Sequence, residues 1–280
     1  MTEVPGPPSF LAYKRFRYLK LSGLGVAAAT ALYALDVPIG GRSGSTRAGY
    51  ALGIGSALLI LWLLWFGVRK RSYRFTGAPL LGWLSGHVYL GATLLILVPL
   101  HCAFRFGWNL HTAAYVLMAV AVISGMAGVV LYSLVPLPMT ANHPGQTLEG
   151  LMQQIADIDA EFRKLARELP DPYVRALAES IEKTRIGGSV VQQLSGRDRH
   201  CGTTRALELV KQARLPDGAE QEAGQRLIAI LVLKKALLAR VRRNVRYRAL
   251  LDLWLLVHVP ASFATVAAVA AHVLVVLYYR

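Results

Sequence analysis

The stretch LLGWLSGHVYLGATLLILVPLHCAF, residues 80–104, decides what kind of protein this is. It carries no Asp, Glu, Lys or Arg and exceeds the ~20 residues that an apolar helix needs to cross a bilayer. It also holds two histidines, His87 and His101, fourteen residues apart. At about 100° per residue, fourteen steps return to within about 40° of the starting direction, and they advance about 21 Å along the axis. The two imidazoles therefore share one face at two depths. The last apolar stretch repeats the pattern, because His258 and His272 are again fourteen residues apart.

Working outward, Ala48–Val68 is a second clean span, ending at Arg69, Lys70, Arg71 and Arg74. Leu110–Val135 is a third, closed by Pro136 and Pro138, and Leu250–Tyr279 is a fourth. Leu19–Leu35 is shorter and rich in Ala and Gly, and by itself reads equally as a signal-peptide core or an interfacial helix. Charge decides for a span. If all five segments cross, the basic groups Lys14–Lys20 and Arg69–Arg74 fall on one side with the basic run Arg240–Arg248. That arrangement obeys the positive-inside rule, with the N-terminus in the cytoplasm and the C-terminus outside. Trp83, Trp108, Trp254, Tyr278 and Tyr279 sit near segment ends, as interfacial aromatics do.

The expected fold class is all-α: a multi-pass transmembrane helical bundle of about five spans with a helical cytoplasmic insertion. The chain divides into a cytoplasmic segment (1–18), spans one to four (19–136), the insertion (137–247) and the fifth span (248–280). In the insertion, Leu148, Leu151, Ile155, Ile158, Phe162 and Leu165 recur at helical spacing. Asp171 and Pro172 suit a second helix start. Residues 186–202 read as mostly loop. From Ala219 a helical pattern through Leu227, Leu231, Lys234 and Leu238 runs on into the last span.

Composition agrees. The 280 residues are 54% hydrophobic and only 17% charged, against about 25% charged in ordinary soluble domains. The net charge of +15 fits basic loops facing anionic lipid. It does not suit a nucleic-acid binder, because no compact basic domain with interleaved aromatics is present. The cysteines, Cys102 and Cys201, fall on opposite faces and are not expected to pair. No CxxCH motif marks covalently attached haem.

A single histidine within a span often just hydrogen-bonds a neighbouring helix. Two pairs of equal spacing call for more. Imidazole ligates haem iron, and cofactors in helical bundles bind between facing helices. With both ligand helices running from inside to outside, His87 matches His258 near the cytoplasm, and His101 matches His272 near the outer face. No carboxylate lies inside any span, and Asp252 stands only at an edge, which disfavours an ion pump or divalent-metal transporter. His111 lies close to the outer pair, where it is an alternative ligand or a quinone contact. Arg105 is the candidate for haem propionates. Small residues near the ligands (Gly86, Gly91, Ala264, Ala267, Ala268 and Ala271) offer room for a macrocycle edge.

The segments beginning at Gly82 (GWLSGHVYLGATLLILVPLHCAFRFG) and Leu253 (LWLLVHVPASFATVAAVAAHVLVVLYYR) resemble the di-haem b-type integral-membrane cytochromes. These include the cytochrome b of quinol-oxidising complexes and the ferric-reductase-like transmembrane domains. The resemblance covers the third to fifth spans and implies two haems b and transmembrane electron transfer. It differs in the small number of spans, the absence of a nucleotide-binding domain and the long insertion. The expected function is an electron-transfer subunit of an oxidoreductase complex in the cell inner (plasma) membrane. It would work with redox partner proteins and a quinone pool, in a multi-subunit respiratory assembly. A haem or metal transporter, or a membrane anchor with a docking module, are the alternatives.

Overall fold

The computed structural model describes residues 9–71, 80–134, 147–167, 169–196, 200–212 and 219–279. Among these, every regular element is a helix. A 3-10 turn, Phe10–Ala12, leads into α1 (Tyr13–Leu35), followed by α2 (Arg47–Arg71), α3 (Leu80–His101) and α4 (Leu110–Leu134). Then come α5 (Leu148–Leu165), α6 (Asp171–Glu182), α7 (Val190–Ser195), α8 (Gly202–Gln212) and α9 (Ala219–Tyr278). Arg74, Pro136, Pro138 and His143 lie outside the described residues, as do the side chains of Arg69, Lys70 and Arg71.

Among the described residues, five helices are long and apolar enough to cross a membrane: α1 with its leading turn, α2, α3, α4 and the apolar part of α9. The Leu19–Leu35 stretch belongs to a helix of that kind. Lys14, Arg15 and Phe16 take left-handed φ values of 46°, 56° and 61°, so a sharp kink separates the first turn of α1 from its straight run.

The chain forms two compact units, Met1–Val129 with Trp254–Arg280, and Val130–Leu253. In the first, α3 packs against both α1 and α2. Close approach explains several small residues. A Cβ at Gly86 would stand 3.0 Å from Trp62 and 3.1 Å from Tyr18, and one at Gly91 would meet Leu63. These two glycines admit neighbouring side chains and do not widen a space beside His87.

The second unit has an ordinary apolar core. Leu151, Ile155, Ile158, Phe162 and Leu165 of α5 are buried against Leu177 of α6, Leu207 of α8 and the α9 row Leu227, Leu231, Leu238 and Val241. Lys234 stands in that row and is 1% exposed. Its ammonium donates to the Asp159 carboxylate, the Ser180 carbonyl (3.0 Å) and the Ser180 hydroxyl (3.1 Å). The stretch expected to be loop contains α7. Ser189 and Gln192 form a capping box at its start, and Gly196 ends it at φ 63°. Those local signals outweigh the Gly- and Ser-rich composition.

Candidate cofactor and metal site

All five histidines of the first unit gather into two groups. His87 of α3 lies beside His258 of α9, with ring centroids 6.4 Å apart and planes at 71°. His101 of α3 lies beside His272 of α9, also at 6.4 Å, with planes at 77°. His111, one residue into α4, joins the second group, 5.6 Å from His101 and 5.0 Å from His272. Nitrogen atoms of these three lie within 4.8 Å of one another. Arg105 is exposed, its guanidinium 3.6 Å from where a Cβ of Gly41 would stand.

Local sequence sets each ring. His101 is the last residue of α3, because Ala103 and Phe104 turn left-handed (φ 51° and 59°) and Phe104 N–H closes back on the Pro99 carbonyl at 2.9 Å. The chain then re-enters a helix at Asn109, whose side chain caps α4 by accepting from Thr112 N–H at 2.9 Å. This short reversal brings His111 to His101. From the other side, α2 offers Gly49 and Gly53, one turn apart. Thr46 caps that helix by accepting from Gly49 N–H at 3.1 Å. A Cβ at Gly53 would stand 2.7 Å from His101 Cε1, so the imidazole lies directly on the α2 backbone.

The His258 group is built from α4 in the same way. Ser124 Oγ donates to the Ala121 carbonyl at 2.9 Å, which leaves its lone pairs to accept from His258 Nδ1–H at 3.0 Å. Trp254 stacks on His258 at 5.4 Å and donates through Nε1 to the Ser124 carbonyl at 2.8 Å. A Cβ at Gly125 would stand 3.2 Å from His258, and one at Gly128 would collide with the Trp254 indole. On the opposite side Phe66 packs on His87 at 4.9 Å.

No protein-family model matches this chain, and no curated protein or solved structure does.

The geometry can be tested against haem directly. An imidazole nitrogen binds a metal at about 2 Å, with the ring centre about 1.15 Å behind, so two rings facing one metal from opposite sides have centroids about 6.3 Å apart. Both pairs, at 6.4 Å, meet that requirement. The hydrogen bonds suit it as well. His101 Nδ1 donates to the Gly49 carbonyl at 2.7 Å and His258 Nδ1 to Ser124, which leaves Nε2 on each ring as the lone-pair nitrogen. His87 Nδ1 is buried with no hydrogen-bond partner among the described residues. The inner pair meets the required ring separation as it stands. At the outer pair, the His111 centroid lies about 4.2 Å from the midpoint between the His101 and His272 rings. A macrocycle there requires His111 to swing aside.

Sequence reasoning singled out the histidines but missed Gly49, Gly53, Ser124, Gly125 and Gly128. The signal for them is the small-xxx-small spacing Gly49/Gly53 and Ser124/Gly128, which marks close helix approach in apolar surroundings. Trp254, expected to be an interfacial anchor, packs on His258.

Proposed function

We propose that this chain is a b-type cytochrome of the cell inner membrane that carries electrons across the bilayer on two haems b. One haem would be held by His87 and His258, the other by His101 and His272. The observation that carries this reading is that two independent histidine pairs both sit at the 6.4 Å separation that bis-imidazole ligation needs. Haem iron supplies the one-electron chemistry when bound.

The protein's own residues have four tasks. The Gly49 carbonyl and Ser124 hydroxyl fix the ring nitrogens of His101 and His258. Phe66 and Trp254 pack on the inner rings and keep water from them. Arg105 is placed to meet an acidic group at the outer end. The fourteen-residue spacing holds the inner and outer ligand levels about 21 Å apart along the helices. Five apolar helices support a membrane location, and the charge pattern supports an N-terminus in the cytoplasm and a C-terminus outside. The chain would exchange electrons with a quinone pool or a cytoplasmic redox protein on one side and an outer acceptor on the other, as one subunit of a larger assembly.

The test is a reduced-minus-oxidised spectrum and a pyridine haemochrome assay on the purified full chain. Two haems b per chain with low-spin spectra are expected. His87→Ala and His258→Ala should lose the same haem, and His101→Ala and His272→Ala the other. One haem or none per chain, or loss of a common haem from His87→Ala and His272→Ala, overturns the assignment.

A further inference from the structure

We propose that His101, His111 and His272 form a binding site for a single first-row divalent metal ion. Their ring centroids, 5.6, 6.4 and 5.0 Å apart, form a near-regular triangle. One point lies about 3.3 Å from all three centroids, and a metal bound at about 2 Å to an imidazole nitrogen stands about 3.2 Å from the ring centre. The three centroids therefore stand around one point at the distance a shared ion needs, and a ligand nitrogen from each ring lies within 4.8 Å of the others, so that rotation of the rings closes them on the metal. Two further observations point the same way. His101 Nδ1 is committed to the Gly49 carbonyl, which leaves Nε2 as the lone-pair nitrogen free to bind a metal. His111 Nε2 is buried and has no hydrogen-bond partner among the described residues.

The donor set selects the ion. Three neutral imidazoles and no carboxylate favour zinc, cobalt, nickel or copper over magnesium or calcium, which take oxygen ligands. Three protein ligands leave at least one coordination position for water or an exogenous ligand. Because the His111 ring lies within reach of a macrocycle placed between His101 and His272, the ion and an outer haem exclude each other. The metal site itself stands whether or not the haem reading holds.

The experiment uses the full-length, tag-free chain, produced in haem-depleted cells and purified in detergent, with Co2+ as probe. One Co2+ per chain with the intense visible bands of four-coordinate cobalt is expected. His111→Ala and the ring-sized His111→Phe should each weaken Co2+ binding at least about a hundredfold, and His200→Ala should leave it unchanged. The Phe variant decides if the Ala variant does not fold. Only the weak bands of six-coordinate cobalt, or equal affinity in the folded His111 variant, overturns the site. Haem added to the cobalt-loaded chain should bind with one equivalent fewer than to the cobalt-free chain, and equal uptake with cobalt retained overturns the exclusion. Failure of the haem reading would appear separately, as no haem uptake by either form.

Discussion

Replacing Gly53 by Ala tests how the outer ligand is held. The new Cβ would stand 2.7 Å from His101 Cε1 and 2.8 Å from Nδ1. Carbon atoms pack at about 3.5 Å or more, so the ring must retreat by about 0.8 Å. Retreat carries Nδ1 away from the Gly49 carbonyl, now at 2.7 Å, and removes a bond that contributes about 0.5–1.5 kcal/mol. Overpacking of this kind costs about 1–3 kcal/mol, partly offset by about 1 kcal/mol of helix propensity gained on replacing Gly. The larger effect is on ligation, because losing the partner that orients a metal-binding histidine costs about 10–100-fold in affinity. Gly55→Ala is the matched control, since nothing stands within 4 Å of its Cβ position and only the propensity gain remains. Haem content and cobalt affinity at the outer site should fall in Gly53→Ala and hold in Gly55→Ala, while the inner haem is retained in both. If the two variants behave alike in spectrum, cobalt titration and thermal unfolding, the close seating of His101 on α2 is wrong.

Ser124→Ala removes the acceptor of His258 Nδ1 but keeps the backbone carbonyl that Trp254 uses. Inner-haem retention should fall about 10–100-fold, read by haem titration, with the outer site unchanged. Lys234→Ala strips the buried ammonium from Asp159 and Ser180 and should destabilise the second unit by about 3–5 kcal/mol in denaturant unfolding. Lys234→Met, which refills the volume, should cost less. At Cys201, burial alone would raise the thiol, but the hydrogen bond from Arg242, helped by Thr204, outweighs it and holds the thiol below its usual value. A depressed value in the folded state adds stability above the unfolded thiol's range and loses it as pH falls through the folded one. Arg242→Gln should therefore flatten the stability gain between neutral and alkaline pH, and slow alkylation of Cys201 at neutral pH.

The long apolar helices were legible because crossing a bilayer demands an uninterrupted run, which needs no tertiary information to recognise. The amphipathic face of α5 was legible for a related reason, since Leu151, Ile155, Ile158, Phe162 and Leu165 follow one helical stripe and all are buried. Lys234 was counted into the α9 pattern, yet its burial could not be foreseen. It depends on Asp159 and Ser180, which lie 75 and 54 residues away. Around the histidines, spacing along one helix fixed which rings share a face. What stands opposite each ring depends on how closely the helices approach, and that rests on glycines whose role appears only once α2 and α4 are in place. His111 shows the limit best. Its proximity to His101 comes from the left-handed pair Ala103 and Phe104, residue types that rarely adopt that conformation and give no turn signal.

The two histidine groups share a spacing but differ in how firmly they are held, and the difference bears on what each can do. The inner rings lie between Phe66 and Trp254, with α4 pressed close at Gly125 and Gly128, so neither ring can move far without displacing a large aromatic. The outer rings stand where α3 ends and α4 begins, and the third imidazole is carried by a helix start adjoining the exposed residues Phe104–Leu110. A ligand on a helix end can swing by small backbone rotations, whereas one in mid-helix cannot. The inner pair is therefore suited to a permanently held group. The outer trio is suited to exchange, because either two rings or three can face the centre according to where His111 points. Exchange at the outer end and retention at the inner end would allow the outer site to be emptied or refilled without disturbing the inner one. That asymmetry predicts sequential loss under mild competition by free imidazole, the outer site first. Simultaneous loss from both sites would mean that the difference in packing has no thermodynamic weight.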